Sequence, residues 1–277
     1  MILRKYLLPI SLLASGAIAV APVSATIVFS DDFANNDRTT DPAWYTIGNP
    51  AGYDITEQNG ILSLGSTSTN QHRALSSSWE IGPNGGYTLS VGDELTFSFT
   101  AKLTGNQGNR NNEFQFGIGN NMGDVPAADG ETAVFENDRG YIVALGAGSG
   151  ATGILRDAGT QGFLGRPGSG DHTTLVSETG MALTQTFTTY SMTISRTSTG
   201  LDLTLTDGNF TISGSDNSVP GNEFYTFNTM TFGYYNRNTE NSIDIDSITV
   251  IPEPTTYAAI FGLGALGLVM LRRCLRA

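Results

Sequence analysis

Four carboxylates near the two ends of the central sequence could do chemistry. Asp31 and Asp32 are adjacent near its start, and Asp244 and Asp246 alternate near its end. A glycosidase needs two carboxyl groups about 5–9.5 Å apart with separated pKa values, which this spacing does not impose. Calcium takes six to eight oxygen ligands. If the first and last strands lie side by side, these acids come together, so we hypothesise a structural calcium site; no other cofactor is indicated.

Two polar segments carry sugar-binding chemistry. Tyr235 is followed by Asn236 and Arg237, and an Asn-rich stretch contains Asn106 and Arg110. An exposed aromatic ring packs on a sugar face, while amide and guanidinium groups bind its hydroxyls. The alternative is an ordinary strand end beside a polar loop.

Other site chemistries are poorly supported. The two histidines, His72 and His172, are far apart in sequence and would need distant acids to form a zinc site. The single cysteine, Cys274, lies three residues from the C-terminus. The net charge of −12 disfavours nucleic acid as a partner. No catalytic constellation is evident, so we expect a protein that is not an enzyme.

Period-2 alternation of apolar residues runs through residues 26–250 and predicts a β domain. The clearest strand is Glu94 to Leu103, with Leu95, Phe97 and Phe99 on its core side. A change of parity near Asp246 and Ser247 predicts a bulge. About ten to thirteen such strands predict an all-β, two-sheet antiparallel sandwich.

Similar runs include Phe114 to Ile118, Tyr190 to Ile194, Leu201 to Leu205, and Phe210 with Ile212. Hairpin turns are expected at Asn59-Gly60, Ser198 to Gly200 and Asp207-Gly208, and surface loops at 104–112, 119–130 and 146–172.

The first 25 residues have the pattern of a secretory signal peptide. Arg4 and Lys5 precede an apolar run, and small residues precede a cleavage site between Ala25 and Thr26. The alternative is a membrane anchor that is never cut.

The C-terminal segment, residues 251–277, has three parts. Pro252-Glu253-Pro254 is followed by an apolar stretch over 255–271 and then by Arg272 and Arg273. As a helix the stretch is about 25 Å long, at the short end for a transmembrane helix. The arginines place its far end in the cytoplasm. Cys274 falls in this tail, so the exported domain has no disulfide and depends on its core.

This C-terminal pattern resembles the PEP-CTERM sorting signal, whose alternative is an ordinary tail anchor. The resemblance implies recognition and cleavage by an exosortase-type membrane protease. It also implies export by a Gram-negative bacterium that makes exopolysaccharide. The protein would be anchored in the inner membrane before processing, and would then reach the cell surface or the matrix.

The central sequence resembles the concanavalin/laminin-G-like jelly rolls. The resemblance rests on Phe29 to Phe33 with nearby Trp44, on Asn59 to Leu64, and on the closing strand Ile243 to Val250. That fold includes lectins, carbohydrate-binding modules, glycosidases and polysaccharide lyases, so it does not decide function. We expect a non-enzymatic surface or matrix protein associated with exopolysaccharide. A lectin-like module with a defined glycan is the first alternative, and a polysaccharide hydrolase or lyase is the second.

Overall fold

The computed structural model describes residues 27–48, 50–67, 71–79, 86–105, 113–131, 136–146, 151–157, 172–236 and 242–253. Several sequence predictions lie outside these residues: the signal peptide with Ala25 and Thr26, Asn106, Arg110, Arg237, Pro254, the apolar segment 255–271, Arg272 and Arg273. Within the described ranges, no helix has the length and apolar character needed to cross a bilayer.

Two antiparallel sheets make up the described domain. The strands of the larger sheet are β1 (Phe29–Asp31), β3 (Tyr53–Gln58), β4 (Ile61–Ser66), β7 (Glu94–Thr104), β12 (Thr188–Arg196), β13 (Leu201–Thr206), β14 (Thr211–Asp216) and β17 (Ser242–Glu253). Their order in the sheet is β14-β13-β12-β7-β17-β4-β3, with β1 also paired to β17.

The smaller sheet has seven strands in the order β11-β10-β9-β8-β16-β5-β2. These are β2 (Tyr45–Ile47), β5 (Gln71–Ser78), β8 (Glu113–Asn120), β9 (Arg139–Leu145), β10 (Ala151–Asp157), β11 (His172–Thr179) and β16 (Thr229–Asn236). A separate pair joins β6 (Tyr87–Thr88) to β15 (Thr226–Phe227), and 3-10 turns cover Pro50–Gly52 and Asn222–Tyr225. The predicted all-β, two-sheet antiparallel architecture is confirmed, with more strands than expected.

The core lies between the two sheets and is rich in aromatic rings. Phe97 and Phe99 on β7 project toward the smaller sheet, where the Phe99 ring centroid lies 4.5 Å from Phe116 and 5.3 Å from Phe232. These four side chains are at most 1% exposed. The predicted register of β7 is therefore confirmed, because its alternate residues face the partner sheet.

Local turn chemistry also agrees with the sequence. Asn59 and Gly60 join β3 to β4, and both have positive φ, 56° and 75°. This conformation closes a tight hairpin and favours these two residue types. The predicted bulge is present, since the register of β17 against β7 shifts between Ile245 and Ser247.

Two details of the sequence interpretation are wrong. Phe210, expected to face the core, is 51% exposed, whereas Ile212 is 4% exposed. Phe210 lies in the turn between β13 and β14, where its amide donates to the Asp207 carboxylate, so it does not share the alternation of the strand. The interval 146–172, expected to be a surface loop, contains β10, which pairs with both β9 and β11.

The last strand continues past Val250, the expected end of the domain. Ile251, Pro252 and Glu253 pair with Thr96, Leu95 and Glu94 of β7. Pro252 is buried and Glu253 is exposed, which continues the alternation set by Ile248 and Val250. The described domain therefore includes two residues of the Pro252-Glu253-Pro254 motif.

The packing of β7 yields a stability prediction. We expect Phe97→Ala to lower the free energy of unfolding by ~3–5 kcal/mol, because it removes a fully buried ring. Ser98→Ala, one residue along on the outward face, should cost less than ~1 kcal/mol. Chemical denaturation of both variants measures the difference. Similar losses for the two would contradict the register.

Candidate functional site

The outward face of the smaller sheet has an unusual composition at the centre of its strands. Five glycines occupy positions that alternate with core residues: Gly117, Gly119, Gly140, Gly153 and Gly233. The strand register groups them in neighbouring rows, with Gly233 opposite Gln115 and Gly117 opposite Thr231. We call these positions, together with Ser76, Gln115 and Thr231, the glycine face.

Glycine in a strand interior is unfavourable because it loses much conformational freedom and packs no side chain. Such positions often allow a ligand or another backbone to approach closely. Gly117 pairs with Ile142, and Gly119 pairs with Gly140. Several neighbouring strands therefore carry no side chain on the same side of the sheet, although these positions are buried.

Hydroxyl groups line the β5–β16 side of this face. The Thr231 hydroxyl donates to Ser76 Oγ at 3.2 Å, and Ser76 Oγ donates to the Met230 carbonyl at 2.9 Å. Thr229 Oγ1 lies 3.3 Å from both Ser76 Oγ and Ser78 Oγ. These groups are held in place by each other, and Ser76, Thr229 and Thr231 are at most 3% exposed.

One of the two predicted sugar-binding segments lies at the end of β16, and the other, 106–112, falls outside the described residues. Tyr235 pairs with Glu113, the first described residue of β8. On its other side Tyr235 pairs with His72, and Asn236 pairs with Gln71. The backbone of the first segment is therefore held between β8 and β5, on strands that carry the glycine face.

Two buried acids lie at the opposite end of these strands. Asp138 precedes β9 and is 0% exposed, and its two carboxylate oxygens have no hydrogen-bond partner in the described structure. Asp157, at the end of β10, lies 3.5 Å from Arg139 Nη1. Burial, reinforced by the charge of Asp157, raises the pKa of Asp138 to about 8. Asp138 is therefore largely neutral at physiological pH.

A buried ion pair joins the two sheets. Arg156 Nη1 on β10 lies 2.7 Å from Asp216 Oδ1 on β14, and the Tyr141 hydroxyl donates to Asp216 Oδ2 at 3.1 Å. Burial and the Asp216 charge raise the pKa of Tyr141, so its phenol stays protonated. Sequence analysis missed this group, because Arg156 lies in the interval expected to be a loop.

The predicted acid site opens on a cleft of about 360 Å³ beside β1 and the bulge of β17. Asp31, Asp32, Asp41 and Ser247 are among its lining residues. Asp31 pairs with Ile248, so the first and last strands are neighbours as expected. Burial raises the pKa of Asp31, although its carboxylate accepts from Trp44 Nε1 at 2.7 Å and from the Phe33 amide at 2.8 Å. Asp31 thus anchors the buried Trp44.

The other two predicted calcium ligands are placed differently. Asp244 accepts hydrogen bonds from Ser63 and Thr104 and lies 3.6 Å from Lys102 Nζ. Asp246 is exposed at the bulge. Across the described ranges, no group of three or more His, Cys, Asp or Glu is arranged to hold a metal ion. The structure thus does not assemble Asp31, Asp32, Asp244 and Asp246 into a metal site.

The buried acid gives a prediction on pH dependence. The pKa of Asp138 is higher in the folded state than in the unfolded state. Between about pH 4 and 8 the folded protein therefore holds a proton that the unfolded chain has released. Stability should therefore fall as the pH rises through this window, by up to ~1.4 kcal/mol per pH unit. Asp138→Asn should remove this slope and stabilise the protein at pH 8.

Thermal and chemical denaturation at several pH values test this, with Asp246→Asn as the exposed control. The control should keep the slope of the unaltered protein. An unchanged slope in Asp138→Asn would show that the acid does not hold this proton.

Comparison with protein-family models gives one match: residues 250–273 match the PEP-CTERM protein-sorting motif. A comparison of the sequence with curated proteins gives no match. The family match begins within β17 and includes Pro252, Glu253, Pro254, Arg272 and Arg273. The resemblance drawn from these residues is confirmed.

Solved structures of low sequence identity share the fold. An endo-1,3-β-glucanase from Streptomyces sioyaensis has 13% identity and a TM-score of 0.55, over 84% of this chain and 98% of that one. The carbohydrate recognition domain of Emp47p has 12% identity and a TM-score of 0.53, over 83% and 98%. The corresponding metal-free domain of Emp46p has 14% identity and a TM-score of 0.52, over 81% and 94%. The chain thus combines a concanavalin/lectin-like β-sandwich with a PEP-CTERM sorting motif.

Proposed function

We propose that this protein is exported, sorted through its PEP-CTERM motif, and associated with exopolysaccharide at the cell surface or in the matrix of a Gram-negative bacterium. It acts as a binding protein and not as an enzyme. It is anchored in the inner membrane through residues 255–271 until an exosortase-type protease processes it. The observation that carries the binding role is the lectin-like two-sheet sandwich, a fold shared with carbohydrate recognition domains.

The polar segment at the end of β16 has the residue types that bind a sugar polymer. Tyr235 and Asn236 supply an aromatic ring and an amide, which are the groups that contact sugar faces and hydroxyls. The glycine face itself is buried, with Ser76, Gln115 and Thr231 at most 3% exposed, so it is not the surface that a glycan meets. The net charge of −12 favours a neutral or cationic glycan over an anionic one.

The similar structures support this proposal at the level of fold. Two are carbohydrate recognition domains and one is a glucanase. Because the fold serves binding and hydrolysis alike, the choice between them depends on the site. A lectin-like module with one defined glycan is the narrower form of the same proposal.

Hydrolysis is the second candidate, because a carboxyl group of raised pKa beside another acid is typical of glycosidases. Asp138 and Asp157 have this character. Both are at most 1% exposed, however, and a catalytic carboxyl must touch the substrate. We therefore assign them a structural role. Release of shorter glycans that is lost in Asp138→Asn would instead favour a hydrolase.

A binding experiment tests the proposed glycan role. We expect saturable binding of the purified protein to the exopolysaccharide of its host. Tyr235→Ala should weaken this binding by about tenfold or more, which corresponds to ~1.4 kcal/mol, because it removes the aromatic ring proposed to pack on the sugar.

The matched control is Phe210→Ala, which removes an exposed aromatic ring at the turn between β13 and β14 of the larger sheet and should leave the affinity unchanged. A melting curve for each variant separates lost binding from lost folding. Assays in calcium and in EDTA also test the calcium hypothesis. The absence of binding by the folded protein would contradict the glycan role and leave a scaffold whose partner is another protein.

Sorting is tested by deletion of residues 254–277, which keeps all of β17. We expect the shortened protein to leave the membrane fraction, since the apolar segment is the proposed anchor. Cell fractionation and immunoblotting follow this change. Continued membrane retention would mean that another segment, such as an uncut signal peptide, holds the protein.

A further inference from the structure

The sorting motif and the folded domain share residues. The family match begins at residue 250, whereas β17 ends at Glu253. Within this overlap Ile251 pairs with Thr96, Pro252 with Leu95 and Glu253 with Glu94. Two of the three residues of the Pro252-Glu253-Pro254 sequence are therefore already paired in a sheet.

This end of β17 is held by an interior strand. The start of β7 is paired on its other side with β12, where Ile194 lies opposite Leu95. The Ser195 hydroxyl also donates to Glu94 Oε1 at 2.9 Å. Pro252 is buried in the same inward row as Val250. Withdrawing the end of β17 would thus expose a core position as well as break strand pairing.

The first described strand holds the other edge of β17 at the same end of the sheet. Phe29 pairs with Val250, and the Val28 amide donates to the Val250 carbonyl at 3.0 Å. Since β1 and β17 are antiparallel, the described chain begins and ends at one end of the sandwich. The end of β17 therefore lies where both membrane-targeting segments join the domain.

We infer that the bond cut during sorting lies on the C-terminal side of Glu253, so that Pro252 and Glu253 remain in the mature protein as the end of β17. This inference rests on the proposed processing of the motif. A protease binds its substrate as an extended strand with a free backbone. Bonds before Glu253 are denied this access by pairing and burial, whereas the Glu253–Pro254 bond is the first beyond the sheet.

The reaction at this position is an ordinary acyl transfer. The C–N bond breaks, and the amine of the released C-terminal fragment takes up a proton. The carbonyl carbon at the new end of the retained domain bonds to the oxygen of water, which gives a carboxylate, or to the nitrogen of an amine acceptor, which gives a new amide. In either outcome the strand β17 stays intact through the reaction.

The first test is to map the mature C-terminus. The full chain is produced in cells with an exosortase, and the processed form is digested with trypsin and analysed by mass spectrometry. Trypsin cuts after Arg237 and meets no further Lys or Arg before Arg272, so one peptide starting at Asn238 reports the cut. We expect that peptide to contain both Pro252 and Glu253. A peptide ending at Pro252 or earlier would overturn the inference, while an unshortened chain would overturn processing itself.

The second test locks the strand pair. Thr96 and Ile251 are Cα partners outside the Pro-Glu-Pro sequence, and antiparallel partners lie about 4.5–5.5 Å apart, within reach of a disulfide. In the Thr96→Cys, Ile251→Cys variant, the oxidised form should be processed within about twofold of the reduced form. Blocked processing that returns on reduction would show that β17 must open, and would overturn the inference. The single variant Ile251→Cys controls for the loss of the isoleucine.

Discussion

The pairing of β17 with β7 is the constraint on which the rest of the domain depends. The last strand lies inside the larger sheet, with β7 on one side and β4 and β1 on the other. The two halves of that sheet are therefore joined only when the C-terminal strand, β17, has paired with both of them. Because β17 pairs with residues far away in sequence, this step carries a large loop-closure cost and depends on the apolar row from Ile243 to Val250 to offset it.

The same alternation that buries one side of each strand determines the chemistry of the other side. On β8 and β16, aromatic residues such as Phe116 and Phe232 fill the space between the sheets. Their neighbours Gly117 and Gly233 are then left on the outward side. A densely packed inner face supplies the stability that lets these strands keep glycine at central positions. In this protein the packing of the core and the absence of side chains on the other side of the sheet are linked within single strands.

Sequence patterns were most informative where structure depends on neighbours along the chain. The register of β7, the Asn59-Gly60 hairpin and the bulge before Ser247 follow from alternation and turn chemistry. The prediction that Phe210 faces the core was wrong because a turn can hold an apolar residue at the same spacing as a strand. The extension of β17 to Glu253 could not be predicted, because proline usually ends a strand. It is tolerated here because its ring continues the buried row. Arg156 with Asp216, and Asp138 with Asp157, depend on which distant strands become neighbours, which a single sequence does not specify.

Acidic side chains take the structural place that disulfides hold in many exported domains. Between residues 27 and 253 the sequence has no cysteine. Asp216 joins the sheets by accepting from Arg156 and Tyr141, and Asp31 fixes Trp44 beside the first strand. Asp244 on β17 similarly accepts hydrogen bonds from Ser63 on β4 and Thr104 on β7, and it forms an ion pair with Lys102. Removing one partner of a buried ion pair such as Arg156–Asp216 leaves an uncompensated charge, at a cost of ~3–5 kcal/mol. Two of the four carboxylates predicted to bind a cation, Asp31 and Asp244, therefore already accept hydrogen bonds that hold the strands together.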